Sequence, residues 1–143
     1  MKRAALGLGC VLVALGWLFA VGDHGMIGHM ASHMIAVALA PPLLVCGLTG
    51  TALDPARRWP RAVTPVAMML VELVTVWLWH VPALRESMRG SAALMAFEQL
   101  SFLAAGILLW FSVMATPQRA AGVGALLLTS MHMTLLGALI GLA

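Results

Sequence analysis

Charge is scarce in this chain. Asp, Glu, Lys and Arg make up only 9% of its 143 residues, 62% are hydrophobic, and the mean hydropathy is +1.01. Soluble domains carry about 25% charged residues, so this chain has too little polar surface to cover itself in water and reads as an integral membrane protein. Cysteine is scarcer still. Cys10 and Cys46 stand in separate apolar stretches, which excludes a disulfide framework and a CxxC metal knuckle. Tyrosine is absent altogether. Acidic residues are outnumbered eight to five, giving a formal net charge of +3 and a pI near 9.7. The basic residues nevertheless fall in short clusters between apolar runs, so they report topology and imply no nucleic-acid partner. No activated nucleophile with a positioned base, no phosphate-binding loop and no carboxylate pair is visible, and no enzyme is indicated. Against these absences, five histidines and eleven methionines stand out.

A membrane-crossing helix needs roughly 20 mostly apolar residues. Five such runs occur, near 4–22, 26–50, 62–84, 92–114 and 120–142, with short breaks between them. Short connections make consecutive helices antiparallel neighbours, so the expected fold is all-α, one polytopic transmembrane helical bundle of about five helices. With the N-terminus in the cytoplasm, Lys2, Arg3, Arg57, Arg58, Arg61 and Arg119 lie inside, against Arg85 and Arg89 outside. That is the expected cytoplasmic excess, and it gives a multi-pass protein of a bacterial inner membrane with the lipid bilayer as its solvent. The first run has the features of a signal peptide, with Lys2-Arg3 ahead of it and Ala20-Val21-Gly22 as a small-x-small site. Its apolar stretch is longer than a usual signal core, which favours a retained helix.

Span 2 opens with Met26-Ile27-Gly28-His29-Met30-Ala31-Ser32-His33-Met34. At about 100° per residue, His29, His33, Met26, Met30 and Met34 fall within an arc of roughly 140° on one side of a helix. Imidazole and thioether bind soft or borderline metals, and Met in particular selects Cu(I). The competing account is that Met fills gaps between helices and that boundary His is solvated or hydrogen-bonded across helices. In the same span Pro41-Pro42 removes two amide donors and frees carbonyls near Val37 and Ala38, so a kink is expected there.

Span 3 closes with Trp77-Leu78-Trp79-His80-Val81-Pro82. Tryptophan marks the membrane boundary, which places His80 at the depth of His29 and makes a three-imidazole metal site from two neighbouring helices. A capping or headgroup-contacting His80 is the alternative. Met131-His132-Met133 in span 5 offers a further imidazole, but His132 counts to about 16 Å from the outer end against about 9 Å for His33, so it is a weaker ligand candidate. Glu72 and Glu98 lie within spans, where an unpaired carboxylate costs several kcal/mol. Glu98, towards the outer side, is a candidate to accept a hydrogen bond from a ligating His and orient it, with Ser101 or Gln99 as alternative partners. Glu72 has no obvious partner.

The ordered set His29-Met30-Ala31-Ser32-His33-Met34, Pro41-Pro42-Leu43-Leu44, Trp79-His80-Val81-Pro82-Ala83-Leu84 and Phe102-Leu103-Ala104-Ala105-Gly106-Ile107-Leu108-Leu109-Trp110 resembles the CtaG family of cytochrome c oxidase assembly factors. Met133-Thr134-Leu135-Leu136-Gly137 also fits, so the resemblance covers about residues 26–143. It implies a polytopic protein acting in haem-copper oxidase maturation, with copper supply as the usual proposal. It places the family's HMxxHM histidines at His29 and His33 and its WHxP histidine at His80. The chain departs from the family pattern at Gln99, where a His is common, and at Arg85, where an aromatic residue is common. It also ends after span 5 where typical members continue, which points to a short variant in which His24 or His132 replaces the lost imidazole.

The leading expectation is a non-enzymatic assembly factor that binds copper at the outer side of the membrane and helps place it in cytochrome c oxidase. Met26, Met30 and Met34 would receive Cu(I), and His29, His33 and His80 would hold it. Partners would be oxidase subunits or other copper chaperones, with a homo-oligomer left open. Two other classes compete. One is a membrane haem b electron-transfer protein with axial ligands such as His33 and His132. The other is a metal-free accessory subunit of a respiratory oxidase complex, packing through small-residue faces at Ala92 to Gly106 and Gly122 to Gly141.

Overall fold

In the computed structural model the described residues are all of 1–143 except 23, 24, 89 and 143, with the side chains of residues 20, 21, 26 and 88 also outside the description. Among them the secondary structure is entirely helical. The elements are α1 (Lys2–Val21), α2 (Gly25–Met34), a π-helical turn (Ile35–Leu39), α3 (Ala40–Leu48), α4 (Pro55–Arg58), α5 (Pro65–Trp79), α6 (Pro82–Met88), α7 (Ala92–Ala115) and α8 (Arg119–Leu142). Four stretches are long and apolar enough to cross a membrane: Lys2–Phe19, Ile27–Leu48, Ala92–Ala115 and Arg119–Leu142. The protein is a multi-pass membrane protein.

α5 is shorter than the 62–84 span read from the sequence. It starts at Pro65 behind Thr64, whose hydroxyl accepts from Ala67 N–H at 3.3 Å. It stops at Trp79 because Pro82 disfavours helical geometry in the residue before it. The His80 and Val81 amides bond instead to the carbonyls of Trp77 (3.1 Å) and Leu78 (3.2 Å), three residues back, and the chain turns into α6. The 15 helical residues of α5 cover about 22 Å. His80 therefore sits on a turn at the helix end rather than inside a span.

The Pro41-Pro42 pair produces a π turn directly before it. Neither proline can donate to the carbonyls of Val37 and Ala38, so the helix widens by one residue, with the Ala40 amide bonding to Ile35 O. The freed Val37 carbonyl accepts from the Trp110 indole N–H on α7 at 3.2 Å. A proline defect on one helix is thus answered by a donor from its neighbour. Trp110→Phe should lower stability by about 1–3 kcal/mol, the cost of an unsatisfied buried carbonyl. Denaturant unfolding of the purified protein tests this, and a midpoint equal to wild type would mean that the carbonyl finds another donor.

The helices meet through small residues. A Cβ on Gly9 of α1 would lie 2.8 Å from Leu44 Cδ2, and one on Gly47 of α3 would run into Leu6. These glycines let α1 lie closely against α3. Lys2 Nζ donates to Thr49 O at 3.1 Å and Arg57 to Gly50 O at 3.0 Å, so cations satisfy the carbonyls at the end of α3. Asp54 caps α4 by accepting from the Ala56 and Arg57 amides. The main core joins the π turn (Ala36, Val37), α5 (Val76, Trp79), α7 (Phe102) and α8 (Met133, Leu136). Trp79 is turned into this core at 7% exposure, so it does not sit in an interfacial belt.

Candidate metal centre

α2, the end of α5 and the first half of α7 converge at one end of that core. His29 and His33 are one helical turn apart on α2, so their rings share a face, with centroids 4.1 Å apart. The turn that ends α5 carries His80 across to them, with centroids 5.8 Å from His29 and 5.1 Å from His33. One nitrogen from each of the three rings lies within 4.8 Å of the other two. Phe102 of α7 closes the inner side, its ring centroid 4.3 Å from that of His33. The structure thus brings together the three histidines singled out in the sequence.

The hydrogen bonds around the cluster orient it. His80 Nδ1 lies 2.6 Å from Val76 O, and because a carbonyl only accepts, Nδ1 carries the proton and donates. Its Nε2 is left with a free lone pair, buried and without a hydrogen-bond partner. A backbone carbonyl that fixes the far nitrogen of an imidazole is the usual support of a metal-binding histidine. His29 Nε2 is likewise buried and unpartnered. Glu98 of α7 places Oε1 3.3 Å from His33 Nε2 and 3.5 Å from Arg85 Nη1. Ser101 bonds its own helix at Phe97 O, so Glu98 faces the cluster instead of a neighbour on α7.

The remaining candidates lie elsewhere. Met30 and Met34 line an apolar groove of about 450 Å³ against α8, together with Met133, Thr129 and Gly137. Met30 is turned towards α8, where its methyl carbon would lie 3.7 Å from a Cβ on Gly137. The Met26 side chain and His24 lie outside the described residues. His132 is also separate. Its Nε2 meets Glu72 Oε2 at 2.7 Å, and Trp77 Nε1 donates to its Nδ1 at 3.4 Å, so both ring nitrogens are engaged. Glu72, which had no partner in the sequence, is fully buried and has one here. Gln99 turns to the other side of α7 and packs by Gly16, Trp17 and Ile35, away from the imidazoles.

Two features were not read from the sequence. One is the closeness of Arg85 to the cluster, with Nη2 3.4 Å from His29 Nδ1; only the break at Pro82 makes it reachable. The other is the Glu72–His132 pair, signalled solely by two ionisable groups that each lacked a partner inside a span. No curated protein and no solved structure matches the chain. The family model for Caa3_CtaG, the cytochrome c oxidase caa3 assembly factor, matches residues 3–143, and the chain belongs to that family of membrane-embedded assembly factors.

Proposed function

We propose that the protein binds one copper ion, as Cu(I), through His29, His33 and His80 and helps to place it in cytochrome c oxidase. The observation that carries this reading is the meeting of three imidazole nitrogens within 4.8 Å of one another. His80 keeps a buried Nε2 lone pair without any hydrogen bond among the described residues, an arrangement that costs free energy unless an electrophile satisfies it. Three neutral donors with no thiolate suit a cargo that is to be passed on, since neutral ligands release a cation without taking up a proton. Haem b is the weaker fit, because His132 has no nitrogen to spare for an iron.

The site belongs at the outer side of the membrane. Lys2 and Arg57 gather at the end of α3, the opposite end of the bundle from His29, and the excess of basic residues marks that end as cytoplasmic. The role is binding and transfer, with oxidase subunits or copper donors as partners and no catalysis.

The purified protein should take up Cu(I) at a ratio near one in competition with a chromogenic chelator. His33→Ala and His80→Ala should each weaken binding at least tenfold, about 1.4 kcal/mol or more. Wild-type retention of copper in both variants would remove the proposal. Stable association with the oxidase that is indifferent to both substitutions would point to an accessory subunit.

A further inference from the structure

We infer that copper at the three histidines takes a fourth, anionic ligand, a thiolate, and that Arg85 is the residue that admits it. This rests on the copper reading above. Arg85 belongs to α6, the short helix over the mouth of the cluster, and its side chain is 37% exposed while Glu98 beneath it is 5% exposed. The His33 side chain is only 3% exposed. Of these three side chains Arg85 is the one that reaches the surface, so a ligand coming from outside meets it.

The hydrogen bonding makes Arg85 responsive to the metal. A guanidinium only donates, so at 3.4 Å from Arg85 Nη2 the Nδ1 of His29 accepts, and the ring proton sits on Nε2. A cation can take His29 in two ways. It can bind Nδ1 directly, which displaces the guanidinium. Or it can bind Nε2 once the proton has moved to Nδ1, where it faces an N–H of Arg85, donor against donor. Either way Arg85 leaves His29. Among the described residues Arg85 Nη1 keeps only Glu98 Oε1, at 3.5 Å, so loading removes one of the two acceptors that the guanidinium meets at the cluster.

Charge decides what fills the gap. Three neutral imidazoles leave Cu(I) with its full charge, and Arg85 adds a second. The acid beside them is Glu98, whose Oε1 is shared between His33 and Arg85. One carboxylate cannot balance two cations in a setting where net charge is costly. An incoming anion restores neutrality, and a soft one is matched to Cu(I), which singles out sulfur. The thiolate binds the copper through sulfur and stays within reach of Arg85, with no change of oxidation state. It can come from a free small thiol or from a cysteine of a copper-donor protein, whose S–H proton passes to bulk water as the copper–sulfur bond forms.

X-ray absorption of the full-length protein loaded with Cu(I) in detergent tests this, with N-acetylcysteine or a cysteine-bearing peptide added in steps. The nitrogen shell should gain a sulfur neighbour at about 2.3 Å, the length of a metal–thiolate bond. A methionine sulfur would be present before any thiol is added. Arg85→Leu should raise the thiol concentration for half-conversion at least tenfold, and Arg85→Lys, which keeps the charge, should raise it less. Conversion at lower peptide than N-acetylcysteine concentration assigns the thiolate to a protein partner; equal concentrations assign it to a free thiol. The same thiol dependence in wild type and Arg85→Leu, or a shell of nitrogen alone at every thiol concentration, overturns the inference and leaves the copper site standing. Failure of the wild type to hold Cu(I) overturns both.

Discussion

Gly106→Val is expected to destabilise the bundle strongly. A Cβ at this position would stand 3.0 Å from Pro41 Cγ, 3.1 Å from Val37 Cα and 3.2 Å from Ala36 O. None of these atoms is the end of a flexible side chain, so relief requires α7 to move away from the π turn. For alanine two effects oppose each other. Overpacking costs about 1–3 kcal/mol, while exchanging a mid-helix glycine for alanine recovers about 1 kcal/mol. Gly106→Ala should therefore be mildly destabilising. Valine adds two methyl groups in the same space with no helix-propensity gain comparable to that of alanine, and its cost should lie at or beyond the upper end of the overpacking range. The displacement has a functional consequence. α7 also carries Phe102 and Glu98, which touch His33, and Trp110, which satisfies the Val37 carbonyl. Denaturant unfolding combined with the Cu(I) titration should show both a lower midpoint and weaker metal binding in Gly106→Val. A midpoint within experimental error of wild type would mean that the helices are less tightly apposed than the contacts indicate.

How much of this was legible beforehand depends on whether the signal was local. The His29–His33 pair follows from helical spacing alone, and the position of His80 at the close of its apolar run placed it at the same end of the bundle, although Trp79 itself faces the core. Both are short-range readings, and together they assembled the cluster. The methionine stripe divides among neighbours because an arc of roughly 140° is wider than one contact. His33 stands about 40° from His29, whereas Met30 and Met34 stand about 100° and 140° away, enough to face a different neighbour. The Pro41-Pro42 pair announced a distortion at the right carbonyls, but the donor that satisfies the Val37 carbonyl is Trp110, 73 positions away along the chain. The end of α5 was placed too late because hydropathy continues through Val81-Pro82-Ala83-Leu84 while the backbone does not. Proline at 82 was the clue, and giving it more weight would have exposed α6 and the position of Arg85.

The second large effect is expected at the buried pair that joins α5 to α8. Trp77 Nε1 only donates, so His132 Nδ1 accepts and its Nε2–H donates to Glu72 Oε2. The sense of the bond fixes the ranking of variants. Glu72→Gln keeps an oxygen that can accept from Nε2–H and should be mild. Glu72→Ala leaves that N–H orphaned beside a cavity. His132→Ala leaves a fully buried carboxyl group without its imidazole and the Trp77 indole without its acceptor, and should be the most damaging, by about 3–5 kcal/mol. A double Glu72→Leu, His132→Leu variant should recover much of the loss, since an apolar pair of similar volume replaces a polar pair that had to be satisfied. The pairing was within reach of depth counting. Glu72 lies about 10 Å from the end of α5 at Trp79 and His132 counts to about 16 Å from the end of its own span, so both fall well inside the bundle. Chemical unfolding of these four variants and of the double Glu72→Ala, His132→Ala variant, which closes the cycle for the two alanine substitutions, measures the coupling between the two residues. Copper binding provides the complementary test: the double variant should still take up Cu(I) at a ratio near one, because neither side chain belongs to the three-imidazole cluster. Additive losses in the two alanine variants would show that the contact contributes nothing of its own, and loss of copper from a well-folded double variant would tie the buried pair to the metal site after all.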